Sequence, residues 1–275
     1  MLRGQAAARV PKLRAASLSP ESRSPKPWLA DVCSTWVFNG SKELRLWPIL
    51  LYGTRLRMGR GAVLWPIGDA SMVNTEFVDA LASDAAVPGG GGGAAYAGAL
   101  AAALGAMVGN ITAGKPKFVD IADDMRASVA DLDAARARLF ELIDEDAEAF
   151  SQLAATWKLP RATEEEKAAR HAAEQAALVG ACEVPLHIMR VCAAVIESDE
   201  FLANNASKLV LSDVGASAIL AKGALQAAAL NVHINTNLMD DAAQAAAFNE
   251  ECAQLLTQPC DAAQAIYDKV AAAIK

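Results

Sequence analysis

The sequence predicts an all-α protein: an up-and-down bundle of long helices preceded by an N-terminal segment with no packed fold of its own. Three observations carry this reading. The composition is 53% hydrophobic but only 5% aromatic, with Ala very frequent, and small side chains suit close-packed helices better than sheets. No segment alternates apolar and polar residues long enough to read as a strand. Breakers such as Gly114–Pro116 and Leu159–Pro160 divide the chain into long helical stretches.

The chain falls into two unlike parts, 1–71 and 72–275. Residues 1–71 hold eleven Lys/Arg and four Asp/Glu, whereas 72–275 hold fourteen and twenty-eight; together they give the formal net charge of -7. The first part carries six prolines, four of the five Trp and no sustained period. Met1–Pro20 is rich in Arg, Ala and Ser and has no acidic residue, a composition like that of an organellar transit peptide. A disordered extension and a true start at Met72 are the other two readings. In all three, no packed fold is expected before about residue 73. The apolar run 46–52 is too short to span a bilayer.

Several function classes are excluded early. The acidic balance argues against a nucleic-acid partner. Five Cys without a CxxC spacing give neither a zinc module nor a disulfide framework, and His171, His187 and His233 are too scattered for a metal site. No Ser-His-Asp or Cys-His arrangement stands out.

The helices follow in order. Thr75 is placed to cap a short helix bearing Phe77, Val78 and Leu81. Pro88 and the glycines Gly89–Gly93 then lead into a helix over about 94–112. No charge interrupts 89–114, so a membrane span has to be weighed. Ala and Gly contribute little transfer energy and no basic flank follows a Leu-rich core, so a buried central helix is the better reading. A long amphipathic stretch covers about 117–157. Thr163 with Glu166 reads as a capping box that opens a helix to about Phe201, with a kink at Pro185. After a loop over 204–211, Ser212 is expected to cap a helix over 213–237. The last helix runs from near Asp240 to near Ile274, bent or split at Pro259.

Chemistry is sought where a polar residue interrupts an apolar stripe. At 100° per residue, Leu139, Leu142, Ile143, Phe150 and Leu153 share one face, and Asp146 falls in its middle. Asp144 lies to the side. A carboxylate facing the core must find partners or shift its pKa. It makes either an internal ion pair or helix contact, or it faces a ligand cavity. Asn231 and Asn235, at i and i+4, share a small-residue stripe with Ser217, Ala224 and Ala228. They offer paired amides, either between helices or to a ligand. Asp213 sits near a helix N-terminus, where it complements the dipole. The run Gly89–Gly93 precedes a helix start that can present backbone N–H groups. It lacks the Gly-Lys-Ser/Thr of a P-loop and the leading strand of a dinucleotide site. Lys115 and Lys117 flank the other end of that helix.

The order of these motifs resembles the cyclodeaminase/cyclohydrolase family. Pro88-Gly89-Gly90-Gly91, then Gly109-Asn110-Ile111-Thr112 and Gly114-Lys115-Pro116-Lys117-Phe118, look like its opening. The run 144–150 is similar to its acidic motif, and 159–166 resembles the next turn. Ser212-Asp213-Val214-Gly215 and 229–235 look like its C-terminal pair. The likeness covers about 73–275. Many members have Ser where this chain has Gly92, and Lys where it has Pro116.

The resemblance implies an all-helical homodimer, cytoplasmic, that binds a folate at or near the subunit contact. It implies hydrolysis of 5,10-methenyltetrahydrofolate to 10-formyltetrahydrofolate in one-carbon metabolism. The alternatives are closure of formiminotetrahydrofolate with loss of ammonia, and a helical scaffold without activity. Asp146 and Asp213 are the candidate catalytic carboxylates, with Asp144 behind them. Gly89, Gly90 and Gly91 would approach the pterin, Asn231 and Asn235 would position the substrate, and Lys115 and Lys117 would meet the glutamate tail. Neither metal nor cofactor is expected.

Overall fold

The computed structural model describes residues 75–275. The expected extension over 1–71 and its boundary lie outside the described residues. Six α-helices follow: α1 (Glu76–Leu81), α2 (Gly90–Ala113), α3 (Ala122–Thr156), α4 (Glu164–Asn205), α5 (Leu211–Thr236) and α6 (Ala242–Ala273), with short 3-10 turns at Pro116–Ile121 and Lys208–Val210. The described residues contain no strand. The all-α class is borne out.

Short connections force successive helices into an antiparallel arrangement. α2, α3, α4 and α5 form a ring in which each packs on the next and α5 closes back on α2; α6 lies against α5 and α4. Glycines on α2 let side chains of the neighbouring helices come close to its backbone. A Cβ on Gly98 would lie 2.8 Å from Cys192 Sγ, and one on Gly109 would lie 2.5 Å from Val129 Cγ2. Larger residues there would wedge the helices apart.

α2, α4 and the stretch Lys208–Thr236 are each long and apolar enough to cross a membrane. In the bundle about half of each apolar window is turned inward. The Ala and Gly residues of α2 meet α3, α4 and α5 rather than an external solvent. Leu100, Met107 and Ile111 remain on its outer face.

Helix boundaries differ from expectation where local capping was overruled. Gly90–Gly93 form the first turn of α2, with Gly89 as its N-cap, so the glycine run is not a loop. Thr75 makes no side-chain cap bond. α5 begins one residue before Ser212, and Val210 is its N-cap, because the 3-10 turn feeds directly into the helix. The capping box is present: Thr163 Oγ1 accepts the Glu166 N–H, and Glu166 Oε2 accepts the Thr163 N–H, each at 3.2 Å. Asp241 caps α6 by accepting the N–H groups of Ala243 and Gln244. Pro185 and Pro259 both lie inside continuous helices.

Candidate functional site

The α3 stripe brings Asp146 to the N-terminus of α2. Asp146 Oδ2 accepts the Gly92 N–H at 2.8 Å, one of the donors that a helix start leaves unpaired. A Cβ on Gly91 would stand 2.1 Å from Asp146 Oδ1, so only glycine lets the carboxylate seat there. Burial pushes the Asp146 carboxyl above its usual range, and the Gly92 N–H pulls it partly back. No Lys or Arg among the described residues pairs with it. Arg138, on the same helix, is taken by Glu141 and Glu145.

Beside this carboxylate lies a cavity of about 300 Å³. Gly89, Gly90 and Gly91 line it from α2, Asn231 and Asn235 from α5, and Ala181 and Val184 from α4. Seen along α3, Asp146, Phe150, Leu153 and Trp157 form its wall.

The amide orientations define what the cavity offers. Asn235 Nδ2 donates to the Ala181 carbonyl at 2.7 Å, and Asn231 Nδ2 donates to the Ala227 carbonyl at 3.1 Å. A carbonyl accepts only from the NH₂ end, so both amides are fixed in orientation. Their oxygens remain as acceptors; Asn231 Oδ1 lies 3.5 Å from where a Gly90 Cβ would stand. The polar end thus presents acceptors and one carboxylate, suited to a cationic, N–H-rich guest.

Six of the ten residues singled out in the sequence meet here: Gly89, Gly90, Gly91, Asp146, Asn231 and Asn235. Four do not. Asp144 is exposed and off the cavity. Lys115 and Lys117 lie at the other end of α2, about 36 Å of helix away. There Lys115 Nζ donates to Ser207 Oγ at 2.7 Å, and the Lys117 ammonium lies 5.5 Å from the Phe118 ring centroid. Asp213 opens α5 at that same far end, some 27 Å of helix from Asn231. Within one protomer, then, Asp213 and Asp146 do not meet, because antiparallel helices of this length keep their opposite ends apart.

The aromatic wall of the cavity lies outside the candidates that the sequence marks. Phe150 and Leu153 read as core from periodicity, and Trp157 as the last residue before a breaker. Their spacing from Asp146, at i+4, i+7 and i+11, was the available signal.

Two other polar clusters are structural. His233 Nδ1 is 2.9 Å from Asn249 Oδ1, and His233 Nε2 is 3.6 Å from Cys252 Sγ. This has the composition of a thiol triad, but Cys252 is fully buried and burial pushes its thiol up, which removes the thiolate such chemistry needs. In the core, Asp199 meets Ser217 Oγ at 2.7 Å, and that hydroxyl donates to the Ala101 carbonyl at 2.8 Å. No group of three His, Cys, Asp or Glu among the described residues is placed to hold a metal.

A family profile described as Formiminotransferase-cyclodeaminase matches residues 74–254. The chain belongs to the formiminotransferase-cyclodeaminase family. The expected resemblance is borne out. A methenyltetrahydrofolate cyclohydrolase of Methylorubrum extorquens is 41% identical over 194 residues, covering 70% of this chain and 93% of that one. The formimidoyltransferase-cyclodeaminase of Gallus gallus is 34% identical over 199 residues, 72% of this chain but 35% of that longer protein. The solved structure of formiminotetrahydrofolate cyclodeaminase from Thermotoga maritima superposes with a TM-score of 0.61 at 29% identity, covering 74% of this chain and 96% of that one. All three matches agree with the family's helical domain.

Proposed function

We propose that this protein is a methenyltetrahydrofolate cyclohydrolase of one-carbon metabolism, with Asp146 as its general base. One observation carries the reading: among the described residues, Asp146 faces a cavity with a single backbone N–H as partner and no Lys or Arg paired with it. A scaffold would neutralise that carboxylate internally and leave no hollow. The 41% identity to a cyclohydrolase over nearly that enzyme's whole length supports the choice of reaction.

The chemistry follows from the charge of the substrate. The bridging carbon of 5,10-methenyltetrahydrofolate belongs to a cationic amidinium, which an unpaired carboxylate attracts. Water attacks that carbon while Asp146 takes one of its protons. The neutral adduct then breaks its bond to N5 as the protonated Asp146 returns the proton to that nitrogen. The hydroxyl left on carbon loses its proton and becomes the formyl oxygen on N10. One water is consumed and one proton released. Asp146 serves both transfers here, since Asp213 of the same protomer lies at the far end of α5. No step calls on a metal or a cofactor. Asn231 and Asn235 supply acceptors for the pterin N–H groups.

Formiminotetrahydrofolate cyclodeaminase is the second reading, favoured by the Thermotoga maritima neighbour. It uses the same carbon and the same carboxylate. Loss of methenyltetrahydrofolate absorbance with purified protein, run beside formiminotetrahydrofolate, separates the two. Turnover of the second alone would overturn the first.

The working unit in this proposal is a homodimer. The outer faces of antiparallel α2 and α5 carry Leu100, Met107, Ile111, Ile219, Leu220 and Leu230, with no charged residue anywhere in α2. A two-fold axis lying across these helices covers that face. It also brings the Lys115 and Lys117 end of a second copy toward the cavity, where the glutamate tail would leave. Four free, buried cysteines among the described residues support the cytoplasm as its compartment.

A further inference from the structure

We propose that Trp157 is the residue that binds the arylamine ring of the folate and so selects full-length folates over bare pterins. The inference rests on the folate reading above and adds to it a specificity determinant.

The cavity is chemically divided along its length. Asp146, Gly90 and Asn231 meet at one end, where backbone, carboxylate and amide oxygen are polar. About 16 Å further along α3, Trp157 and Leu238 stand at the mouth. The reacting carbon joins two ring systems of opposite character. The pterin is rich in N–H groups and suits the polar end. The arylamine ring is flat and apolar on its faces, and beyond it only the glutamate tail has to reach solvent. With the reacting carbon at Asp146 and the pterin against the asparagines, the arylamine runs along Phe150 and Leu153 toward Trp157.

Trp157 is built as a fixed wall. Its ring meets Phe150 edge to face, at 6.0 Å between centroids and 82° between planes. Its indole N–H donates to Glu174 Oε1 at 3.2 Å. The next residue of α4, Gln175, donates to the Leu238 carbonyl at 3.0 Å and accepts the Asp240 N–H at 2.8 Å. Adjacent residues of one helix thus brace both rims of the mouth. Yet 48% of Trp157 and 54% of Leu238 remain exposed. An apolar rim held by these contacts and about half exposed fits a flat occupant that completes the packing.

The test titrates the full-length protein with tetrahydrofolate and with a tetrahydropterin that ends at the pterin ring. Loss of one aromatic stack costs about tenfold in affinity. Trp157→Ala and the bulk-keeping Trp157→Leu are each expected to weaken tetrahydrofolate by about that factor and to leave the tetrahydropterin unchanged. Glu174→Gln keeps the ring and is expected to lose roughly twofold or less. In turnover, the two Trp157 variants raise KM with kcat within about twofold, since the contact is remote from the reacting carbon. Equal weakening of both ligands would assign Trp157 to cavity shape alone and overturn the proposal, as would no weakening of either. A wild-type protein that binds tetrahydrofolate but does not hydrolyse methenyltetrahydrofolate would count against the cyclohydrolase and leave the Trp157 comparison readable.

Discussion

Asp146 Oδ2 sits 2.8 Å from the Gly92 N–H, and the glycine before it leaves room for the other carboxylate oxygen. Helix α3 thereby places an acid against the start of α2, where the dipole and an unpaired donor favour negative charge. Burial opposes that charge. The result is a carboxylate that is held in position but not neutralised, which is the condition a general base requires.

Replacing Asp146 by Asn removes the base and keeps the shape. Turnover of methenyltetrahydrofolate is expected to fall by roughly 10²–10⁴-fold. A variant with near-normal activity would remove Asp146 from the mechanism. The wild-type pH profile gives a second check. The base works ionised, so kcat/KM rises with pH through its pKa, and burial moves that limb above the ordinary value of 3.8. A limb at or below that value would contradict the burial argument.

Gly91→Ala tests the close approach. The added Cβ would lie 2.1 Å from Asp146 Oδ1, so the carboxylate must move away from Gly92. Kinetics should show a large loss of kcat, about tenfold or more, for a displacement on the order of 1 Å. Activity equal to wild type would mean that the Asp146 position is not fixed by α2.

Asp199 controls stability rather than chemistry. Burial pushes its carboxyl up to about 8, only partly offset by Ser217. The folded pKa lies above the unfolded one. Its stabilisation is full below 3.8 and is lost as pH rises toward about 8. Asp199→Asn should abolish this decline, so thermal melts of the variant and wild type diverge most near pH 8. Parallel melting curves across pH 4–8 would show that Asp199 does not stay neutral in the fold.

Leu230 is 70% exposed on the outer face of α5 and lines no part of the cavity. Leu230→Glu places a charge in the proposed subunit contact, so sedimentation should shift from dimer to monomer. A wild-type protein already monomeric at micromolar concentration would end the dimer proposal.

Chelator treatment is expected to leave turnover unchanged, because no cluster of three metal-ligating side chains occurs among the described residues. A metal-restored rate would redirect the search for the activating group.

Much of the site is legible in the sequence. Asp146 stood out because a helix period of 3.6 residues places it among Leu142, Ile143 and Phe150. Asn231 and Asn235 stood out because they share a stripe with small residues. These are local properties of one helix. Trp157 could not be read the same way, since its ring belongs to the wall only once Glu174 of α4 reaches it. Ser212 misled as a cap because its competitor, the turn at Lys208–Val210, depends on how α4 hands over to α5.

By itself the chain determined its helices, their approximate ends and the residue types able to bear charge on an apolar face, because periodicity and breakers act within a few residues. Tertiary structure alone decided which of those residues meet. It joined Asp146 to Gly92 and Asn231, and it set Asp213, Lys115 and Lys117 at the far end of the bundle. The reason is geometric: separation along long antiparallel rods depends on how they are stacked, and no local pattern encodes the stacking.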